Sequence, residues 1–141
     1  MLQDNLETKK QFKHASIIQV KGGQPTLLVT ATAAYIPFDQ FKNIFTEIGN
    51  LVRELGIIKL IFDKRQLAVF HQPSMEWYFV EWKSKMFELG LTRHIKILPI
   101  DEVFRQSVKI GRNKINLTYP NGTFHRMEIL YAESLEEAIA L

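Results

Sequence analysis

The sequence predicts an α/β domain: a mostly parallel sheet with helices packed on it and an antiparallel hairpin at its N-terminal side. Three observations carry this. Strand-like apolar runs alternate with amphipathic helical stripes, in the order β-β-α-β-α-β-α-β-α. Residues 57–62 (IIKLIF) are nearly all apolar, as a strand covered on both faces must be, and parallel sheets are covered that way. The first two strand-like runs are separated only by Gly22-Gly23-Gln24-Pro25, a hairpin-length loop. A chain of 141 residues, 46% of them hydrophobic, fits one domain with a sizeable core.

Taken in order, residues 1–13 read as a polar leader, and the domain proper spans 14–141. Residues 14–21 (HASIIQVK) and 26–34 (TLLVTATAA) are rich in β-branched side chains and make the hairpin. In the first helix, Phe38, Phe41, Ile44, Phe45, Ile48, Leu51, Val52 and Leu55 fall on one stripe, and Gly56 is placed to end it in the left-handed conformation. After 57–62 comes a loop, 63–73. A second helix over 74–89 follows, with Met75, Phe79, Trp82, Met86 and Leu89 on its stripe and Gly90 as its stop. Residues 94–99 (HIKILP) are the next strand. Asp101 caps a third helix that runs to about Gly111, and 112–123 read as irregular. Residues 124–132 are the last strand, and Ser134-Leu-Glu-Glu137 is a capping box that opens a short final helix.

Composition narrows the function. With no cysteine, thiolate chemistry, disulfides and cysteine-ligated metal are excluded. The four histidines (14, 71, 94, 125) share no metal-binding spacing and read as strand-edge or surface residues. Neither a phosphate-binding glycine loop nor a nucleophile elbow occurs, so the expectation is a protein without catalysis, metal or cofactor. The net charge is +3. The basic stretch 91–115 holds six Lys/Arg against Asp101 and Glu102 but only one aromatic, Phe104, which argues against nucleic acid. No apolar run is long enough for a membrane span, and the polar start lacks a secretory h-region, so the cytoplasm is the expected location.

Topology then supplies a candidate site. In open α/β sheets ligands gather beyond the carboxyl ends of the parallel strands. Those ends release Asp63, Lys64 and Arg65, then Asp101, then Glu133; His71 and the helix start at Ser74 face the same rim. One reading is an anion or partner site built by Lys64, Arg65 and the Ser74 amides. The other is an Asp63–Arg65 loop pair, with Ser74 and Asp101 serving only as helix caps. Trp77, Tyr78 and Trp82 form a second candidate. Trp77 and Tyr78 lie off the apolar stripe, so they mark either an interface or a ligand pocket, against ordinary core packing.

Several segments together resemble the STAS-like domains related to bacterial anti-sigma-factor antagonists. They are Pro37-Phe38-Asp39-Gln40-Phe41, then Gly56-Ile57-Ile58-Lys59-Leu60-Ile61-Phe62-Asp63-Lys64-Arg65, Glu76-Trp77 through Trp82, and Gly90-Leu91 leading to 94–99 and Asp101. The likeness spans about residues 14–141 and is mostly hydrophobic pattern. It implies a cytoplasmic regulatory or protein-interaction module, non-catalytic, with a protein partner or a homodimer. In the phospho-switched members an Asp-Ser-Ser/Thr-Gly segment opens the second helix. Here Gln72-Pro73-Ser74-Met75 stands there, without that Asp or Gly, which leaves Ser74 as the only candidate serine. Related folds also hold lipids or nucleotides in a pocket, which implies the alternative of a small-ligand carrier near the second helix.

Overall fold

Parallel strands that are neighbours in both sequence and space are joined by right-handed crossovers, and this decides where the helices lie. The computed structural model of the chain describes residues 5–141. Six strands form one sheet in sequential order: β1 (Leu6–Gln11), β2 (Ala15–Val20), β3 (Thr26–Ala31), β4 (Lys59–Asp63), β5 (Arg93–Ile97) and β6 (Glu128–Tyr131). β1, β2 and β3 are antiparallel, and β3 through β6 are parallel. All three crossovers therefore fall on one face. They carry α1 (Phe38–Leu55), then α2 (Gln72–Trp77) and α3 (Ser84–Glu88) joined by a π-helical turn (Tyr78–Lys83), then α4 (Glu102–Thr118). The main core lies between these helices and Ile17, Leu27, Leu60 and Phe62 of the sheet. The opposite face, with Leu28, Ile61, Ile95 and Ile97, is covered by the short helix α5 (Leu135–Ala140).

The α/β class, the mixed sheet and the first helix stand as the sequence predicts. Gly56 caps α1 at φ 62°, and its N–H bonds to the Val52 carbonyl. Phe45 is fully buried, with its ring against Phe41, Phe62, Tyr78 and Trp82. Ser134 caps α5 by accepting from the Glu137 N–H at 3.1 Å.

Four expectations change outside the second helix. Part of the expected polar leader is β1, the edge strand; edges are commonly charged to resist further pairing, and Glu7, Lys9 and Lys10 do this here. Residues 1–4 of that expected leader lie outside the described residues. The third helix does not stop near Gly111. Gly111 faces inward, where a Cβ would come within 2.7 Å of the Phe70 ring, so the glycine marks a close approach and the helix continues to Thr118. Phe104, Val108, Gly111 and Ile115 make its buried face. The last strand is shorter than 124–132: Thr123–Arg126 is a 3₁₀ turn that seats Phe124 in the core before β6 begins. Finally, His94 is fully buried, since β5 is an interior strand covered on both faces.

The second helix departs most from the sequence reading. Its buried positions are 74, 75, 78, 79, 82, 83 and 86, a repeat of four instead of 3.6. A regular α-helix would carry such a pattern progressively off the core, whereas the wider π turn holds it in register. Tyr78, expected off the stripe, is thereby buried, and so is Lys83.

Candidate functional site

Side-chain alternation divides the residues that the chain delivers to the carboxyl rim. In β4, Leu60 and Phe62 face the large helical layer, whereas Ile61 packs in the cluster under α5, on the same side as Asp63. Asp63 is buried and holds Arg65 through two bonds, Nε–Oδ1 at 2.9 Å and Nη2–Oδ2 at 2.7 Å. Asp63 also accepts from the Arg65 backbone N–H at 3.1 Å. That hydrogen bonding, together with Glu136 of α5, raises the Arg65 pKa further. Arg65 is thus spent on its neighbour, as the loop-pair reading has it. Asp101 accepts from Val103 N–H at 2.9 Å and caps α4. Glu133 pairs with Arg105 at 3.7 Å.

Lys64, His71, Ser74 and Tyr78 do meet. They line a cavity of about 520 Å³, including its open mouth, between β4, the loop 63–73, α2 and α4. Its remaining wall is apolar, with Phe41, Phe62, Phe70, Met75, Phe104 and Val108. His71 is the N-cap of α2: its Nδ1 accepts the Ser74 N–H at 3.3 Å and lies 2.7 Å from Ser74 Oγ. The same residues fix the entrance of the cavity and the start of the helix. Lys64 Nζ lies 4.9 Å from the centre of the Phe62 ring. Although Lys64 keeps part of its surface open, desolvation brings its pKa down to about 8.

Behind this wall lies a group that the sequence reading did not single out. Tyr78, Lys83, His94 and Lys96 are all buried on the helical side of the sheet. The Tyr78 hydroxyl donates to His94 Nε2 at 2.8 Å, while His94 Nδ1–H donates to the Leu60 carbonyl at 3.2 Å. Both rings are neutral: burial raises the Tyr78 pKa well above its ordinary value and, with the nearby lysines, lowers that of His94 well below. Lys83 Nζ sits 3.6 Å from the centre of the Phe79 ring, and Lys96 Nζ 4.5 Å from the same centre. Neither Nζ has a hydrogen-bond acceptor among the described residues. Burial first, then the charges of Lys64 and Arg112, pushes both amines well below the ordinary lysine pKa; the charge of Lys83 lowers the Lys96 pKa as well, whereas Lys96 acts on Lys83 in the opposite direction. Lys59 shows the contrast: equally buried in β4, it reaches the Ile139 carbonyl in α5 at 2.8 Å.

A signal for Lys96 was present in the sequence. A lysine inside HIKILP must be buried on one face or the other if that strand is interior and parallel. Lys83 had no such signal, because its inward direction depends on the π turn. Of the aromatic candidates, Tyr78 reaches the cavity, while Trp82 is core and donates its indole N–H to the Phe45 carbonyl at 2.7 Å. Trp77 is half-buried and, with Trp82, lines a second cavity of about 550 Å³, including its open mouth, between α1 and the second helix.

Compared with known proteins, the chain matches no family model, no curated protein and no solved structure. Among the described residues, no cluster of three or more His, Asp or Glu could hold a metal ion, and no helix is long and apolar enough to cross a membrane.

Proposed function

We propose that the chain is a non-catalytic binding module whose site is the cavity beneath the loop 63–73 and α2, and that it carries a small, largely apolar ligand. The observation behind this reading is the cavity itself: an apolar chamber with a few convergent polar groups, Lys64, His71, Ser74 and Tyr78, opening at the carboxyl rim of the sheet. The hydroxyl–imidazole contact there, Ser74 Oγ to His71 Nδ1 at 2.7 Å, belongs to the cap of α2, in which the same Nδ1 accepts the Ser74 N–H, and among the described residues no carboxylate bonds that imidazole to orient it as a base, so binding is the function the groups fit best. The test is to fill the chamber. Val108→Trp at its wall should abolish retention of a hydrophobic probe such as 1-decanol while leaving the far-ultraviolet circular dichroism unchanged. Retention undiminished in a folded Val108→Trp protein would refute the site.

A second reading, partner docking, is favoured by a separate observation on α4. Val103, Ile110 and Leu117 recur every seven residues and are 74%, 66% and 83% exposed. The helix carries four basic side chains against Glu102, with Lys109 and Lys114 beside the stripe. A second copy would bring two such cationic helices together, so the stripe suits an acidic amphipathic helix better. This reading keeps the STAS-like interaction role and changes its surface. Ile110→Glu should then abolish association with an acidic amphipathic model peptide without touching the cavity; unchanged association would dismiss it.

A further inference from the structure

We infer that the inner end of the cavity is a receptor for the oxyanion head of an amphipathic ligand, a carboxylate or a phosphate monoester, with Lys64 at the wall and Lys83 and Lys96 behind it. The inference rests on the cavity being the binding site and adds the chemistry of what it takes.

Lysines are almost never fully buried without a partner, because an unpaired amine or ammonium in an apolar interior is costly. Two such groups lie side by side here, each over the Phe79 ring and neither with an acceptor among the described residues. Two amines can share a hydrogen bond with each other only if one is neutral, which is the direction burial drives both. The charged and titratable groups facing them are Lys64 from the loop, Arg112 from α4, and the neutral Tyr78–His94 pair. None is an acid. Arg112 bonds the Tyr131 hydroxyl of β6, so it has no carboxylate partner to offer either. One negative charge would supply at once the acceptor and the counter-charge that this group lacks.

Lys64 is the charged group shared by the cavity lining and the surroundings of the two buried amines. It lines the cavity beside Phe62 and Tyr78, and its charge acts on Lys83, His94 and Lys96. Tyr78 joins the two regions: its ring lies 4.8 Å from Lys83 Nζ and also forms cavity wall. The π turn is what brings Tyr78 and Lys83 to the same side. Wide turns of this kind are unfavourable in themselves and recur at functional sites. An anionic head at Lys64 would then leave its apolar tail against Phe70, Met75, Phe104 and Val108.

The experiment compares decanoate, decyl phosphate, 1-decanol and inorganic phosphate by thermal shift and calorimetry on the full chain. The proteins are wild type, Lys83→Met/Lys96→Met and Lys64→Met. Decanoate or decyl phosphate should bind wild type at least about tenfold more tightly than decanol, and the double variant should lose that preference while still binding decanol. Binding of the anion should also take up protons at pH 7.5, seen as a heat that changes with the ionisation enthalpy of the buffer. Whether decanoate or decyl phosphate binds more tightly identifies the head. Equal binding of decanol and decanoate, or an anion preference intact in the double variant, would overturn the inference but leave the cavity as a site. Failure of all four probes to bind would overturn the cavity reading itself. Inorganic phosphate binding as well as decyl phosphate would overturn the amphipathic part of the claim.

Discussion

Replacing Lys83 by Met should make the ligand-free protein more stable at neutral pH and flatten the dependence of its stability on pH. Lys83 is fully buried, its Nζ lacks an acceptor among the described residues, and its pKa is driven well below 10.5. An unmade hydrogen bond at a buried polar group costs about 1–3 kcal/mol. Giving up the proton below the ordinary lysine pKa costs more still. Methionine fills much of the same space with a soft apolar chain and carries neither cost. The expected gain at pH 7.5 is therefore at least about 1 kcal/mol. The sign of the pH effect follows from proton binding. Between the lowered native pKa and 10.5 the unfolded chain holds a proton on Lys83 that the native protein lacks, so wild-type stability rises with pH across that window. The slope from this one lysine is about 1.4 kcal/mol per unit between its native pKa and 10.5. Lys96 adds a slope of the same sign, as does Lys64 above about pH 8. The difference between wild type and variant isolates Lys83. Urea unfolding followed by tryptophan fluorescence at pH 7.5, 8.5 and 9.5 measures both quantities. A variant less stable than wild type, with the same pH slope, would show that Lys83 is charged and partnered in the native protein, and the reasoning would fail.

Phe45→Ala should cost about 3–5 kcal/mol in chemical denaturation, because the ring is fully buried among four other aromatics and its loss leaves a cavity. Arg65→Ala should cost about 1–3 kcal/mol, because it leaves the buried Asp63 carboxylate without its two side-chain bonds, and should leave decanoate binding unchanged because Arg65 lies on the α5 side of the sheet. Gly111→Ala should destabilise by about 1–3 kcal/mol in the same unfolding assay, as the added methyl must displace Phe70 and Gln72 where α4 meets the cavity loop.

The architecture was readable where one local rule sufficed. The stripe from Phe38 to Leu55 with Gly56 behind it gives α1 to the residue, and the run at 57–62, apolar but for Lys59, gives an interior parallel strand. It was misread where a residue type carries two meanings. Gly111 can stop a helix or admit a close neighbour, and polar Leu6–Gln11 can be a tail or a charged edge strand; only the partner element decides. The site was half legible for the same reason. Strand order brings Asp63, Lys64, Arg65 and Ser74 to one rim, but alternation across β4 sends Asp63 and Arg65 to one face and leaves Lys64 and Ser74 on the other. Lys83 was out of reach, because a 3.6-residue period turns it from the core and the π turn restores it.

Nitrogen-15 resonance of the lysine Nζ atoms tests the central claim most directly, because it reports the protonation of each amine one by one. In ligand-free protein Lys83 and Lys96 should remain neutral amines well below the pH at which an exposed lysine ordinarily titrates. On addition of decanoate at pH 7.5, at least one of the two should move to the ammonium position. Ammonium signals for both lysines at pH 7.5 without any anion, unchanged when decanoate is added, would contradict it.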